Sequence, residues 1–190
     1  TLTWSPGDYS YDTCTISGTV EISGVVALSC TNFELTETGA IIGNGGAVDS
    51  GPGKPSSGSY AASHGGTGNG NWPTYGSVTE PRSTGSGGYS GSTKGGAALK
   101  LTATSTVILN GVIEMDGWKS GNIGGGSGGS VWIVTHTLQG SGGSISVQGG
   151  AGYYHSKAAG AGGRVALTCT QSQYTGSYAG YTNVPTMLLG

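Results

Sequence analysis

Three times in this sequence, two glycines lead directly into an alternating apolar run: Gly95-Gly96-Ala97-Ala98-Leu99-Lys100-Leu101, Gly128-Gly129-Ser130-Val131-Trp132-Ile133 and Gly162-Gly163-Arg164-Val165-Ala166-Leu167. The three copies begin 33 and 34 residues apart. A second apolar unit that ends in glycine recurs around them, at Leu35–Gly43, Leu109–Gly117 and Leu138–Gly149. Repeats of this length are typical of units that cannot bury an apolar face alone and therefore stack on one another.

The repeat predicts an all-β fold. Short alternating runs separated by glycine clusters indicate strands and turns, and the longest of them near the start, Thr15–Ile22, predicts one strand. No stretch has a sustained helical period, so we expect almost no helix. We predict a right-handed parallel β-helix, or β-solenoid, with a long Gly/Ser-rich excursion. A β-sandwich is the alternative, because short strands at near-regular spacing also describe that fold.

We expect residues 1–190 to form a single glycine-rich domain, since this is an ordinary domain length. Residues from about 44 to 94 form the long loop excursion, which is rich in Ser, Gly and Pro. Its scattered aromatic residues, such as Trp72 and Tyr75, favour an ordered excursion laid against the flank of the repeat. Two apolar tails, at 1–10 and 182–190, are candidate strand-donating segments.

The composition excludes several classes of partner. Charged residues make up 8% of the chain, against about 25% in an ordinary protein. With seven Lys and Arg residues and a net charge of −2, we expect no nucleic-acid binding. No apolar run approaches the ~20 residues of a membrane span. The sequence opens on Thr1 rather than Met, so we expect a mature or excised piece, cut from a longer precursor. From the neutral, glycine-rich composition we expect an extracellular or cell-surface location.

Three cysteines are present, Cys14, Cys30 and Cys169. Cys14 and Cys30 flank one strand-rich stretch, which predicts a local disulfide across neighbouring strands in an extracellular protein. Three small buried thiols are the alternative. Cys169 would then be unpaired or paired with another chain.

The sequence offers little chemistry for catalysis or metal binding. Glu114 and Asp116 lie two residues apart and so on one strand face, where a solvated surface is favoured over an acid/base pair. His64, His136 and His155 have no metal-ligand spacing. We therefore predict no enzyme, no cofactor and no metal site.

Two surface patterns keep a carbohydrate- or ice-binding alternative open. Thr-x-Thr pairs recur every 33 residues, at Thr102/Thr104, Thr135/Thr137 and Thr168/Thr170. If Val131 and Ile133 face the core, however, side-chain parity turns the middle pair inward and breaks the threonine face. Tyrosines could form a sugar-stacking surface, although packing is favoured: Tyr153, Tyr154, Tyr174, Tyr178 and Tyr181. The sequence has no Asn-x-Ser/Thr sequon, and its exposed Ser and Thr are candidate carriers of O-linked glycans.

The glycine clusters carry a family resemblance. The run Gly124-Gly125-Gly126-Ser127-Gly128-Gly129-Ser130-Val131-Trp132-Ile133, preceded by His64-Gly65-Gly66 and Gly85-Ser86-Gly87-Gly88, resembles the glycine-rich solenoid modules of very large surface proteins of aquatic protists and some bacteria. The resemblance covers roughly Cys14 to Thr170. It implies extracellular structure or adhesion rather than a reaction.

The function that we predict follows from the ends of such a fold. A solenoid exposes unpaired strand edges unless it is capped, and both tails are apolar, with Leu2, Trp4, Val184, Met187, Leu188 and Leu189 as the candidate assembly residues. We predict a structural subunit of an extracellular fibre or surface layer that self-associates head to tail through its termini. Whether a tail adds to the neighbouring subunit or caps its own core is left open. A carbohydrate- or ice-binding module is the alternative, and a glycan-active enzyme is less favoured.

Overall fold

The computed structural model describes residues 1–56, 60–69, 72–89, 93–119, 124–152 and 158–180, together with the backbone of Met187–Leu188. These residues contain thirteen strands and no helix, which confirms the all-β prediction. The strands are β1 Leu2–Trp4, β2 Gly7–Ser10, β3 Thr13–Ile16, β4 Thr19–Ile22, β5 Val25–Leu35, β6 Ala40–Ile42, β7 Ala98–Leu109, β8 Val112–Glu114, β9 Ser130–Gly140, β10 Ser144–Ser146, β11 Arg164–Tyr174, β12 Ser177–Ala179 and β13 Met187–Leu188.

The strands form two sheets. The first sheet has the order β1-β4-β6-β8-β10-β12, and the second has the order β13-β11-β9-β7-β5-β2, with β3 also pairing with β5. From β5 onward, consecutive strands alternate between the two sheets. Every pairing among the described strands is parallel. The β-sandwich alternative, which requires antiparallel sheets, is therefore wrong.

The pairing register follows the sequence repeats. In the second sheet Leu99 pairs with Val131, and Val131 with Val165. In the first sheet Ile41, Ile113 and Ile145 occupy one row. The first two glycine-led copies begin 33 residues apart in the sequence. Their paired residues are 32 apart in the structure, since Ala98 pairs with Ser130. The single strand predicted over Thr15–Ile22 is also wrong: the chain turns at Ser17-Gly18, and the two halves join different sheets.

The core lies between the inward faces of the strands and is mainly aliphatic. Alternate residues of each strand point to the same side, so that Leu28, Leu101, Ile133 and Leu167 form one buried row across the second sheet. Burying a side chain of this size stabilises the fold by roughly 1.5–3 kcal/mol. Within each sheet, every interior strand has a neighbouring strand on both sides, which covers its inward-facing side chains. The terminal strand at each end of a sheet has a neighbour on one side only.

A layer of glycine-rich extended segments covers one flank. We call it the glycine layer, formed by residues 61–65, 85–88, 94–97, 124–129 and 158–163. Its segments are joined by backbone hydrogen bonds, for example from Gly65 N to Gly162 O (3.1 Å) and from Gly85 N to Gly96 O (2.9 Å). A Cβ atom at Gly85 would collide with the carbonyl oxygen of Ser127, so the backbones approach one another too closely for any other residue. Residues 61–65 and 85–88 of the excursion therefore belong to a packed layer.

In the described ranges there is no helix long and apolar enough to cross a membrane.

Candidate assembly surfaces at the ends of the sheets

An apolar groove opens at the N-terminal end of both sheets. Its volume is about 590 Å³, and it lies where β1 begins the first sheet and β2 and β3 begin the second. The side chains that line it are those that would face the core if another strand followed: Leu2, Trp4, Cys14, Ile16 and Val20, with Tyr11 and several threonines at the rim. The groove is thus an open end of the core.

A row of inward-facing side chains in the first sheet explains this opening. Leu2 pairs with Val20, and the row continues through Ile41, Ile113, Ile145 and Tyr178. Val20 is 5% exposed, whereas Leu2 is 56% exposed. Leu2 has the same parity as the buried members, but no described strand lies beyond it. The apolar row therefore continues into solvent at this end.

The backbone of β1 also has one open side. The N–H of Ser23 donates a hydrogen bond to the Trp4 carbonyl oxygen (3.3 Å), so Leu2 and Trp4 direct their peptide groups toward β4. In a parallel strand the intervening residue directs its N–H and C=O to the other side. Thr3 therefore presents a donor and an acceptor to the open edge.

The C-terminal ends of the two sheets are β12 and β13. β12 pairs with β10, and β13 pairs with Leu167 and Thr168 of β11. Close by, Tyr174 and Tyr178 pack against the core with ring centres 5.6 Å apart in an edge-to-face arrangement. Burial raises the pKa of Tyr174 to about 12, and its hydroxyl donates to the Gly143 carbonyl oxygen (3.0 Å). These two tyrosines pack rather than form a flat sugar-stacking face; Tyr153, Tyr154 and Tyr181 lie outside the described residues.

The structure places the candidate assembly residues at the two opposite ends. Leu2 and Trp4 lie in β1, and the backbone of Met187 and Leu188 lies in β13. Val184 and Leu189 lie outside the described residues. The described parts of both tails pair within their own chain. Contact between a tail and another copy of the chain stays a prediction.

The cysteines are free thiols, and all three are buried. The Cys14 thiol lies close enough to Cys30 to influence its pKa. Burial, together with the Cys14 thiol, raises the pKa of Cys30 to about 12. Burial also raises the pKa of Cys169. The two thiols expected to form a disulfide are therefore neighbours, and the disulfide stays a prediction.

Hydrogen bonds to neighbouring segments hold the acidic pair of Glu114 and Asp116 in place. Asp116 accepts hydrogen bonds from the Ser146 hydroxyl (2.6 Å) and from the Gln148 backbone (2.6 Å). Asn44 donates to the Glu114 carboxylate (2.8 Å) and accepts from the Asp116 N–H (2.8 Å). Burial raises the pKa of Asp116, against the effect of the hydrogen bonds that it accepts. The pair fastens the start of the excursion to β8. Within the described ranges, no group of three or more His, Cys, Asp or Glu residues is placed to hold a metal ion.

The threonine face is interrupted at the central strand. Thr102 pairs with Val134, which pairs with Thr168. Thr135 lies in the next row, faces the core and is 8% exposed. This agrees with the parity argument from the sequence and leaves no continuous threonine row.

A buried histidine joins two segments of the glycine layer, residues 61–65 and 124–129. His64 is fully buried, its Nδ1–H donates to the Gly128 carbonyl oxygen (2.7 Å), and its ring stacks on Tyr75 with centres 4.6 Å apart. Its Nε2 atom is buried without a hydrogen-bond partner in the described part of the chain. Burial lowers the pKa of His64 to about 4, helped by the Arg164 guanidinium and opposed by the Gly128 hydrogen bond. The sequence showed only that His64 lacks metal-ligand spacing, and no local pattern pointed to its contacts with Gly128 and Tyr75.

No protein-family model, curated protein or solved structure matches this chain.

Proposed function

We propose that this chain is a structural subunit of an extracellular fibre or surface layer, that its two parallel sheets form a right-handed β-solenoid, and that copies join head to tail through the ends of the sheets. The observation that carries the proposal is the exposed apolar row at Leu2 beside the open edge of β1. A partner that continues both the row and the sheet is expected there.

The solenoid is supported by the alternation of strands between the two sheets and by the parallel register of the repeats. Connections between parallel strands of one sheet are nearly always right-handed, which favours a right-handed coil. Low charge and abundant glycine, together with the resemblance to solenoid modules of large surface proteins, support an extracellular location.

A second copy of the chain is the partner that fits both sheets at once. The first sheet ends with β12 and the second with β13, while β1 and β2 begin them, so copies stacked in one direction continue every strand in parallel. Such a head-to-tail contact does not close on itself and produces a filament. Exchange of a tail between copies is not required, because Leu2–Trp4 and Met187–Leu188 already pair within the chain.

The terminal strands of the first sheet also lack the charged and proline residues that protect many natural edge strands. Natural edge strands often carry Lys or Pro, or bulges that turn them away from a partner. The terminal strands of the first sheet, β1 with sequence LTW and β12 with sequence SYA, contain neither charge nor proline. Uncharged edges without proline are open to pairing with another copy, so these two strands are interpreted as the joining surfaces.

Replacing Thr3 by proline tests the proposal. Proline removes the N–H of Thr3, the one within β1 that points to the open edge, and is tolerated in edge strands. Thr3→Val keeps that N–H and serves as the matched control. We expect filaments in electron micrographs of the wild-type chain and of Thr3→Val, and monomers with an unchanged circular dichroism spectrum for Thr3→Pro. Filaments of normal length from Thr3→Pro, or a wild-type chain that is monomeric at every concentration, would rule out this interface.

Two other roles are less well supported. Ice binding calls for a regular face, and Val134 interrupts the threonine row. A glycan-active enzyme calls for free acidic groups in a groove, and the Asp116 carboxylate is held by Ser146 and Gln148 instead.

A further inference from the structure

A second groove, separate from the ends of the core, lies on the outer face of the second sheet. Its volume is about 340 Å³. Beside it, Trp132 has the Arg82 guanidinium carbon 4.6 Å and the Lys100 ammonium 4.7 Å from its ring centre. Two of the seven basic residues of a charge-poor chain therefore converge on one indole.

The sheet register builds this groove. Asp8 pairs with Ala27, Ala27 with Lys100, and Lys100 with Trp132, so these residues form one outward-facing row. The small Ala27 leaves a gap between the charges at either side. Asp8 lies in β2 and Lys100 in β7, with β5 between them. Strands that are two positions apart in a sheet are separated by about 10 Å, and this is the distance between the two backbones. Arg82 reaches the same place from the excursion. The residues lining the gap are Asp8, Tyr9, Ser10, Ala27, Ser29, Arg82 and Lys100.

The two positive charges of the groove form no close, buried ion pair in the described ranges. No carboxylate forms an ion pair with Lys100 in the described ranges, and Arg82 has only a 4.0 Å contact with Glu80, in which both side chains are more than half exposed. Such exposed pairs contribute little. Two cations held against one ring repel each other, and an anion bound between them would relieve that repulsion.

The opposite side of the groove offers hydrogen-bond partners for the hydroxyl groups of a ligand. Ser10 and Ser29 pair directly across β2 and β5, and each hydroxyl can donate and accept a hydrogen bond. Asp8 accepts hydrogen bonds only. The groove thus offers acceptors and hydroxyls at one side and two cationic donors at the other. A ligand that matches it has ring hydroxyls at one end and a carboxylate at the other.

We infer that this groove binds a hexuronic acid residue of an acidic polysaccharide. The sugar carboxylate accepts hydrogen bonds from Arg82 and Lys100, which form strong charge-assisted contacts with carboxylates. The ring hydroxyls bond to Asp8, Ser10 and Ser29. A neutral sugar fits less well, because it relies on stacking against an open aromatic face. Trp132 is only 7% exposed, and Tyr9 is already stacked on Trp4 with ring centres 5.1 Å apart.

This inference does not depend on the fibre. All the residues belong to one chain, so a monomer is expected to bind the sugar, and the test can use monomeric protein whether or not filaments form.

Titration with trigalacturonate, with neutral maltotriose and with inorganic sulfate tests the site. Calorimetry on the wild-type chain is expected to show binding of trigalacturonate that weakens as salt is added. Lys100→Gln and Arg82→Gln each weaken it at least tenfold. Lys54→Gln, which removes one exposed positive charge outside the groove, leaves it unchanged. Asp8→Asn weakens trigalacturonate binding but not sulfate binding.

Four results would overturn the inference. They are no heat of binding for trigalacturonate, equal binding by the Lys100→Gln and Lys54→Gln variants, maltotriose binding as tight as that of trigalacturonate, or sulfate binding that accounts for the whole effect. Thermal unfolding of each variant verifies that it is folded before its binding is compared.

Discussion

Acid is expected to weaken, through His64, the attachment between residues 61–65 and residues 124–129 of the glycine layer. The carbonyl oxygen of Gly128 is an acceptor, so Nδ1 of the neutral ring carries the proton and Nε2 is a bare acceptor. Protonation at Nε2 adds a charge and a donor at a buried position with no acceptor in the described structure, close to the Arg164 guanidinium. Asp49 acts electrostatically on the stacked Tyr75, but it is not among the groups that shift the pKa of His64.

The size of the effect follows from the pKa. The pKa of His64 falls from its ordinary value of 6.5 to about 4 in the folded chain, and one pH unit corresponds to about 1.4 kcal/mol. The unfolded chain therefore takes up the proton first as the pH falls. The contribution of neutral His64 is complete above pH 6.5 and is lost between pH 6.5 and about pH 4. We expect a loss of about 3 kcal/mol of unfolding free energy over that interval.

Urea unfolding of the wild-type chain and of His64→Asn at pH 7 and pH 4 measures this loss. Asn keeps an N–H donor near the Nδ1 position and cannot titrate. Asp116 contributes with the opposite sign, since burial raises its pKa, and it cancels when the two proteins are compared. The stability difference between them is expected to change by about 3 kcal/mol, whereas exposed His136→Asn should follow the wild type. Parallel pH curves for wild type and His64→Asn would refute the reasoning.

Three further outcomes are expected. Gly129→Ala places a Cβ against a neighbouring backbone carbonyl oxygen and should lower the unfolding free energy by about 3 kcal/mol or prevent folding. In the control Gly142→Ala the new Cβ has its nearest neighbour at 3.8 Å, so the unfolding free energy should change by less than about 0.5 kcal/mol. Equal urea midpoints for the two variants would contradict the packing of the glycine layer. Mild oxidation should join Cys14 to Cys30 and stabilise the chain by about 3 kcal/mol; non-reducing peptide maps that show another pairing would disprove this. Leu2→Lys should abolish assembly in light scattering with less than about 0.5 kcal/mol change in monomer stability, and unaltered assembly would argue against the apolar end.

Local patterns in the sequence predict the strands better than they predict the corners. Period-2 alternation and the glycine-led repeats identify the rows that contain Leu99, Val131 and Val165, because parity and repetition are local properties. The alternation from Thr15 to Ile22 continues through Ser17-Gly18, and so nothing in the pattern marks the change of sheet there.

The sites that depend on the excursion could not be predicted. His64 and Arg82 both reach their partners from a stretch whose composition resembles a linker, and their partners Gly128 and Trp132 lie far away in the sequence. Backbone contacts between glycines set that geometry, and glycine carries no side-chain pattern from which to read it. The apolar tails were visible in the sequence, but their pairing within the chain depends on which strand ends each sheet.

Helical reconstruction of the filaments by electron cryomicroscopy tests the central claim most directly. Each subunit contributes six strands to the first sheet, and parallel strands are spaced by about 4.8 Å. Copies that continue the sheets head to tail therefore give an axial rise of about 29 Å per subunit, with strands perpendicular to the filament axis and β12 of one copy beside β1 of the next. A rise far from this value, or subunits joined through the glycine layer or the sheet faces, would contradict the account.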